Sequence, residues 1–120
     1  MFGALCMAVA AICVGLFAVF LISPASYTAL YGVTGDPGLI FVGRRAAPLF
    51  LGLAVFFWVL RTAGPGPLQD ATALAAALIF GGIALTGLWA WWGGTGGTAI
   101  LVAAGLEAVI ALAFMLARQG

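Results

Sequence analysis

Arg44 and Arg45 stand side by side in "FVGRRAAPLF" (residues 41–50), and Glu107 stands in "LVAAGLEAVIAL" (residues 101–112), each inside a long apolar run. A guanidinium is a rigid fork of donors that is always charged, and its natural counterpart is a carboxylate, a phosphate or another anionic group. Either charge left alone in hydrocarbon costs on the order of several kcal/mol, which a paired geometry offsets. The sequence therefore predicts an ion pair between Glu107 and one of the two arginines. Adjacent helical residues point about 100° apart, so the second arginine is expected to face sideways or to reach the lipid headgroups. Thr86 is expected at similar depth as a hydroxyl partner. Such a constellation has two uses: a buried pair that fixes helix register, or a small polar pocket that takes a lipid headgroup, a quinone carbonyl or a small carboxylate.

Little else in the chain carries chemistry. Of 120 residues, 66% are hydrophobic and 6% charged, and there is no histidine, the commonest ligand of haem and zinc and the commonest proton relay near neutral pH. Cys6 and Cys13 lie seven positions apart on one predicted helix, about 10 Å along its axis, which is too far for a disulfide. No CxxC motif is present. We expect no catalytic residue, no metal site and no cofactor, and read both cysteines as small lipid-facing or packing residues in preference to a thiol or soft-metal role. Asp36 in "GDPG" reads as a turn residue. The net charge of +1, with its basic residues scattered, gives no footprint for nucleic acid.

Four apolar runs position these residues. Each is about 20 residues long, enough to cross a hydrocarbon core of roughly 30 Å. The expected fold is all-α, a single four-helix integral membrane bundle with spans at about residues 2–22, 39–60, 71–92 and 99–117. The first run has no basic segment before it and exceeds a usual signal-peptide core, so it is read as a helix. It ends at Pro24, and residues 25–31 are expected to form a short interfacial helix with Tyr27 and Tyr31 on one face. Pro48 predicts a kink within the second span. Asp70 is the expected N-cap of the third span, and "GGTGGT" (residues 93–98) is a tight turn before the fourth.

With an even number of spans, both termini share one side, together with Arg61 and Arg118. By the positive-inside rule that side is the cytoplasm. Tyr27, Tyr31, Trp89, Trp91 and Trp92 would then form the outer aromatic belt and Trp58 the inner one. Arg44 and Arg45 lie six or seven residues below the outer face, roughly 10 Å, and Glu107 nine residues below it, roughly 14 Å. The depths match.

The stretch "YGVTGDPGLIFVGRRAAPLFLGLAVFFWVLR" (residues 31–61) resembles a group of small bacterial four-helix inner-membrane proteins that are themselves loosely DoxX-like. The resemblance rests on Pro24, the "YGV" at Tyr31–Val33, the arginines followed by "LGL" around Gly52, and Glu107. It implies a four-helix bundle in the bacterial inner membrane and no particular activity. The chain lacks the cysteine pairs of quinone-linked thiol oxidoreductases and the first-helix glutamate of small multidrug exporters. The expected function is non-enzymatic: an accessory or structural subunit that packs, among membrane lipids, against other membrane-protein subunits or further copies of itself. The alternative is a stand-alone binder or transporter of a small anionic or lipid-like ligand, held by the arginines and Glu107.

Overall fold

The computed structural model describes residues 1–118. The fold is an all-α four-helix bundle with one additional short helix: α1 (Phe2–Ile22), α2 (Pro24–Ala29), α3 (Pro37–Leu60), α4 (Pro67–Trp92) and α5 (Ala99–Ala117). The four longer helices are each long and apolar enough to cross a membrane. The polypeptide fills a slab with principal extents of 44 × 28 × 17 Å.

The helix starts follow local chemistry, and two of them come earlier than the sequence reading placed them. Asp36 is a cap as well as a turn residue: its Oδ1 accepts a hydrogen bond from the Leu39 amide at 2.8 Å, with Pro37 opening the helix behind it. A proline in the first turn gives up an amide that has no intrahelical partner anyway, and its φ suits a helix. The same rule corrects the start of α4. Pro67 opens that helix and Gly66 occupies the N-cap, so Asp70 lies inside the first turn instead of capping it. From there it forms an ion pair with Arg118, at 3.8 Å, that ties the start of α4 to the end of α5. Helix α3 continues through Pro48 to Leu60.

Packing divides the bundle into two antiparallel pairs, α1 with α3 and α4 with α5, joined by a sparser contact between α1 and α5. The core common to all four sits at one end. It takes Phe2, Cys6, Val9 and Cys13 from the first half of α1, Ala54 and Phe57 from the last half of α3, Ala73, Ala76 and Phe80 from the first half of α4, and Phe114 and Ala117 from the end of α5. All of these lie toward the chain termini, which we call the near end. Phe114 is its hub, fully buried, with its ring 6.2 Å from that of Phe2 and 6.1 Å from that of Phe57. The alanines opposite the aromatic rings allow the helices to close on them. Both cysteines are free and buried in this core, in keeping with a packing role.

The connection from α3 to α4 crosses the start of α1 here. A Cβ on Gly3 would stand 2.7 Å from the Arg61 carbonyl oxygen, so the crossing requires glycine at that position. The Arg61 guanidinium lies over the Trp58 ring at 3.9 Å and donates to the Trp58 carbonyl, closing the end of α3. A Phe114→Ala variant is expected to lose about 3–5 kcal/mol of stability by opening a cavity where three aromatic rings meet. Reversible unfolding in mixed micelles measures it.

Candidate functional site

Two polar constellations lie toward the far end of the bundle, opposite the termini, and the sequence had merged them into one. The first is the corner between α1 and α2. Ser23 adopts an extended φ of −150° and Pro24 brings no amide, so α1 stops and its last carbonyls lose their intrahelical donors. Helix α3 completes the corner. A Cβ on Gly43 would stand 2.6 Å from Pro24 Cβ, so the absence of a side chain lets the buried Pro24 ring rest on the α3 backbone. The next residue, Arg44, donates from Nε to the Leu21 carbonyl oxygen at 3.3 Å. The Arg44 cation thus sits at the C-terminal, negative end of the α1 dipole and occupies one of its orphan acceptors. Ser23 and Ser26 share a hydroxyl hydrogen bond of 2.7 Å, and the Thr28 hydroxyl donates to the Ala25 carbonyl, which finishes the polar accounting of α2.

The second constellation is a cavity of about 200 Å³ between α2, α4 and α5. It is lined by Tyr27, Tyr31, Ile83, Thr86, Gly87, Ile100, Ala103 and Glu107. Glu107 is half-buried, and neither arginine is in the lining. The predicted pairing of Glu107 with Arg44 or Arg45 is therefore corrected: among the described residues the ion pair formed is Arg118 with Asp70. The physical reason lies in the helix order. Helix α3 packs against α1, whereas α5 packs against α4 and, sparsely, α1, so α1 stands between the arginines and the carboxylate. Equal depth did not bring them together. Arg44 is satisfied by backbone and Arg45 is exposed on the outer flank of α3.

Thr86 does share the cavity with Glu107, as expected, although its hydroxyl donates to the Ile83 carbonyl at 2.9 Å and not to the carboxylate. Tyr27 and Tyr31 lie at the far end and also line the cavity. Both are half-buried: Tyr27 lies 4.8 Å from Phe20 and 5.2 Å from Tyr31, ring centre to ring centre, and Phe20 stacks in turn on Phe50 of α3 at 5.1 Å. Burial pushes the Tyr27 phenol well above the ordinary phenol range, with the Tyr31 hydroxyl adding to the shift, so it remains a neutral hydroxyl. The Gly97 amide donates to the Tyr31 carbonyl and pins the end of this segment to the α4–α5 turn. Trp89, Trp91 and Trp92 are exposed at the C-terminal end of α4, and Trp58 is exposed at the opposite end beneath Arg61. The part of the site that the sequence reading missed is this pair of tyrosines as cavity wall; their four-residue spacing marked a shared face without showing which way it turned.

Among the described residues, no three histidine, cysteine, aspartate or glutamate side chains gather as a metal site would require. The chain matches no protein-family model, and neither curated proteins nor solved structures provide a match.

Arg44→Met is expected to cost about 1–3 kcal/mol by leaving the Leu21 carbonyl without its donor in a medium that offers little water. A double-mutant cycle of Arg44→Met with Glu107→Gln should show coupling within about 0.5 kcal/mol, the additivity expected of separated sites. Coupling well above that value would restore the ion pair.

Proposed function

We propose that this protein is a non-enzymatic membrane protein that works by lateral association, as an accessory or structural subunit packed against other membrane helices. The observation that carries the reading is a set of glycines that the fold itself does not need. Gly15 of α1, Gly52 of α3, Gly82 of α4 and Gly105 of α5 each lie within a membrane-length helix, and a Cβ built on any of them meets no atom within 4 Å. Glycine in a helix interior costs up to about 1 kcal/mol relative to alanine, so four such positions are a standing cost with no return inside the chain. In lipid, a missing side chain is useful where a second backbone approaches.

Two apolar grooves also mark the surface, and one of the four glycines, Gly105, lines the second. One, of about 490 Å³, runs between α1 and α3 and is lined by residues including Met7, Ala11, Leu51 and Trp58. The other, of about 430 Å³, runs between α4 and α5 and includes Gly105 and Ala108 in its lining. Both are lined by apolar side chains, the character of a surface that a neighbouring helix covers in lipid. The reading places the protein in the bacterial inner membrane with its termini in the cytoplasm, supported by Arg61 and Arg118 at the near end. Kinship with the DoxX-like group belongs to the same proposal. It rests on the sequence resemblance alone, at Pro24, Tyr31–Val33, the arginines with Gly52, and Glu107. The anion-binding alternative loses its support, because the arginines do not line the cavity.

Purification in mild detergent followed by sedimentation should give an assembly larger than one 12.1 kDa chain. Gly15→Leu, Gly52→Leu, Gly82→Leu and Gly105→Leu should each fold, since space is available. At least one should weaken the assembly by about tenfold, the scale of one helix–helix packing contact in lipid. A lone monomer, or an assembly indifferent to all four substitutions, sinks the reading.

A further inference from the structure

The cavity at Glu107 is acceptor-rich, aromatic-walled and without a cation from the protein. Glu107 makes neither a hydrogen bond nor an ion pair among the described residues. The Thr86 hydroxyl, also in the lining, has committed its proton to the Ile83 carbonyl, which leaves its oxygen only acceptor capacity. Tyr27 and Tyr31 are part of the same lining, with their rings edge-to-face at 5.2 Å. A carboxylate, a hydroxyl lone pair and electron-rich phenol rings all favour the same kind of guest, one with positive charge and several N–H donors.

Size and position narrow it further. A volume of about 200 Å³, at about 30 Å³ per water, takes a group of a few heavy atoms and not a polycyclic ring. Glu107 is eight residues past Ala99, the first residue of α5, about 12 Å along the axis. Helical side chains lean toward the N-terminus of their helix, so the carboxylate leans back toward the far surface, where lipid headgroups lie. The cavity's lining extends from Glu107 to Tyr31 and Ile100 at the far end of the bundle.

We propose that this cavity binds an ammonium group, donated by an amine-bearing lipid headgroup or by a free primary amine, with Glu107 as its counter-ion and Tyr27 and Tyr31 as its aromatic wall. The ligand supplies the countercharge that the helix order denies to Glu107. The proposal does not depend on lateral association: a monomer has the complete site.

The test uses the full chain, delipidated in maltoside micelles, with two probes: n-butylammonium chloride and phosphatidylethanolamine. Potassium chloride and phosphatidylglycerol serve as controls for ionic strength and for lipid in general. Thermal unfolding reports stabilisation by ligand, and native mass spectrometry reports retained lipid. Selective binding of at least one probe is expected. Phosphatidylethanolamine alone assigns the headgroup source, butylammonium alone assigns a free amine, and binding of both shows that the ammonium suffices. Glu107→Gln should weaken the effective probe on the order of tenfold or more, the value of a hydrogen bond to a charged group. Ala103→Leu fills the cavity and leaves the carboxylate in place, and should block binding as well. Failure of the wild-type chain to bind either probe in preference to its control overturns the proposal, as does undiminished binding by Glu107→Gln. If that variant does not fold, undiminished binding by Ala103→Leu overturns it.

Discussion

The constraint on which this structure depends is that a helix ending within or beside lipid must find partners for its last carbonyls without help from water. Helix α1 ends at Ser23 and Pro24, and one of its orphan acceptors, the Leu21 carbonyl, is met by a neighbouring helix. Gly43 lets the Pro24 ring reach the α3 backbone, and Arg44 supplies the donor to Leu21. The two requirements fall on adjacent residues because each must act within one turn of the corner. An arginine meets the second better than a lysine would. Its long side chain and planar donors reach a carbonyl across the helix interface.

The corner also sets the position of everything at the far end. Its angle determines where α2 lies, and α2 carries Tyr27 over Phe20 and leads to Tyr31, whose carbonyl takes the Gly97 amide from the other helix pair. Without that turn the rings of Tyr27 and Tyr31 would have no reason to face α5. The cavity at Glu107 is thus a remote product of how α1 terminates, and the segment that follows α2 ties the two helix pairs at this end through the Gly97–Tyr31 hydrogen bond.

Much of the fold could be read in the sequence because lipid imposes a length and a polarity on each span, and both are properties of a single segment. The four helices, the short helix after Pro24 and the turn before α5 are of this kind. Asp70 was misread for a local reason: Pro67, three residues earlier, opens α4, so the aspartate falls inside the first turn; Asp36 keeps its turn reading and is the N-cap of α3 as well. The failure at Arg44 and Glu107 has a different origin. Depth in the membrane follows from counting residues, but the azimuth at which one helix meets another follows from packing, and nothing in either segment records that α1 lies between them. Thr86 joined Glu107 correctly because α4 and α5 are sequence neighbours linked by a short turn, which forces them side by side.

The clustering of contacts into α1 with α3 and α4 with α5 has a consequence for biogenesis. Every residue of the Pro24–Gly43–Arg44 corner belongs to the first 44 positions, so this half completes its polar accounting before α4 leaves the ribosome. The second half likewise closes through a short turn between sequential spans. Two junctions need both halves at once: the Gly97–Tyr31 hydrogen bond beside the far-end cavity, and the near-end core, with Phe114 and Ala117 among the last residues of the described chain. Synthesis therefore delivers two hairpins to the bilayer, and the near-end junction awaits the final turn of the last helix.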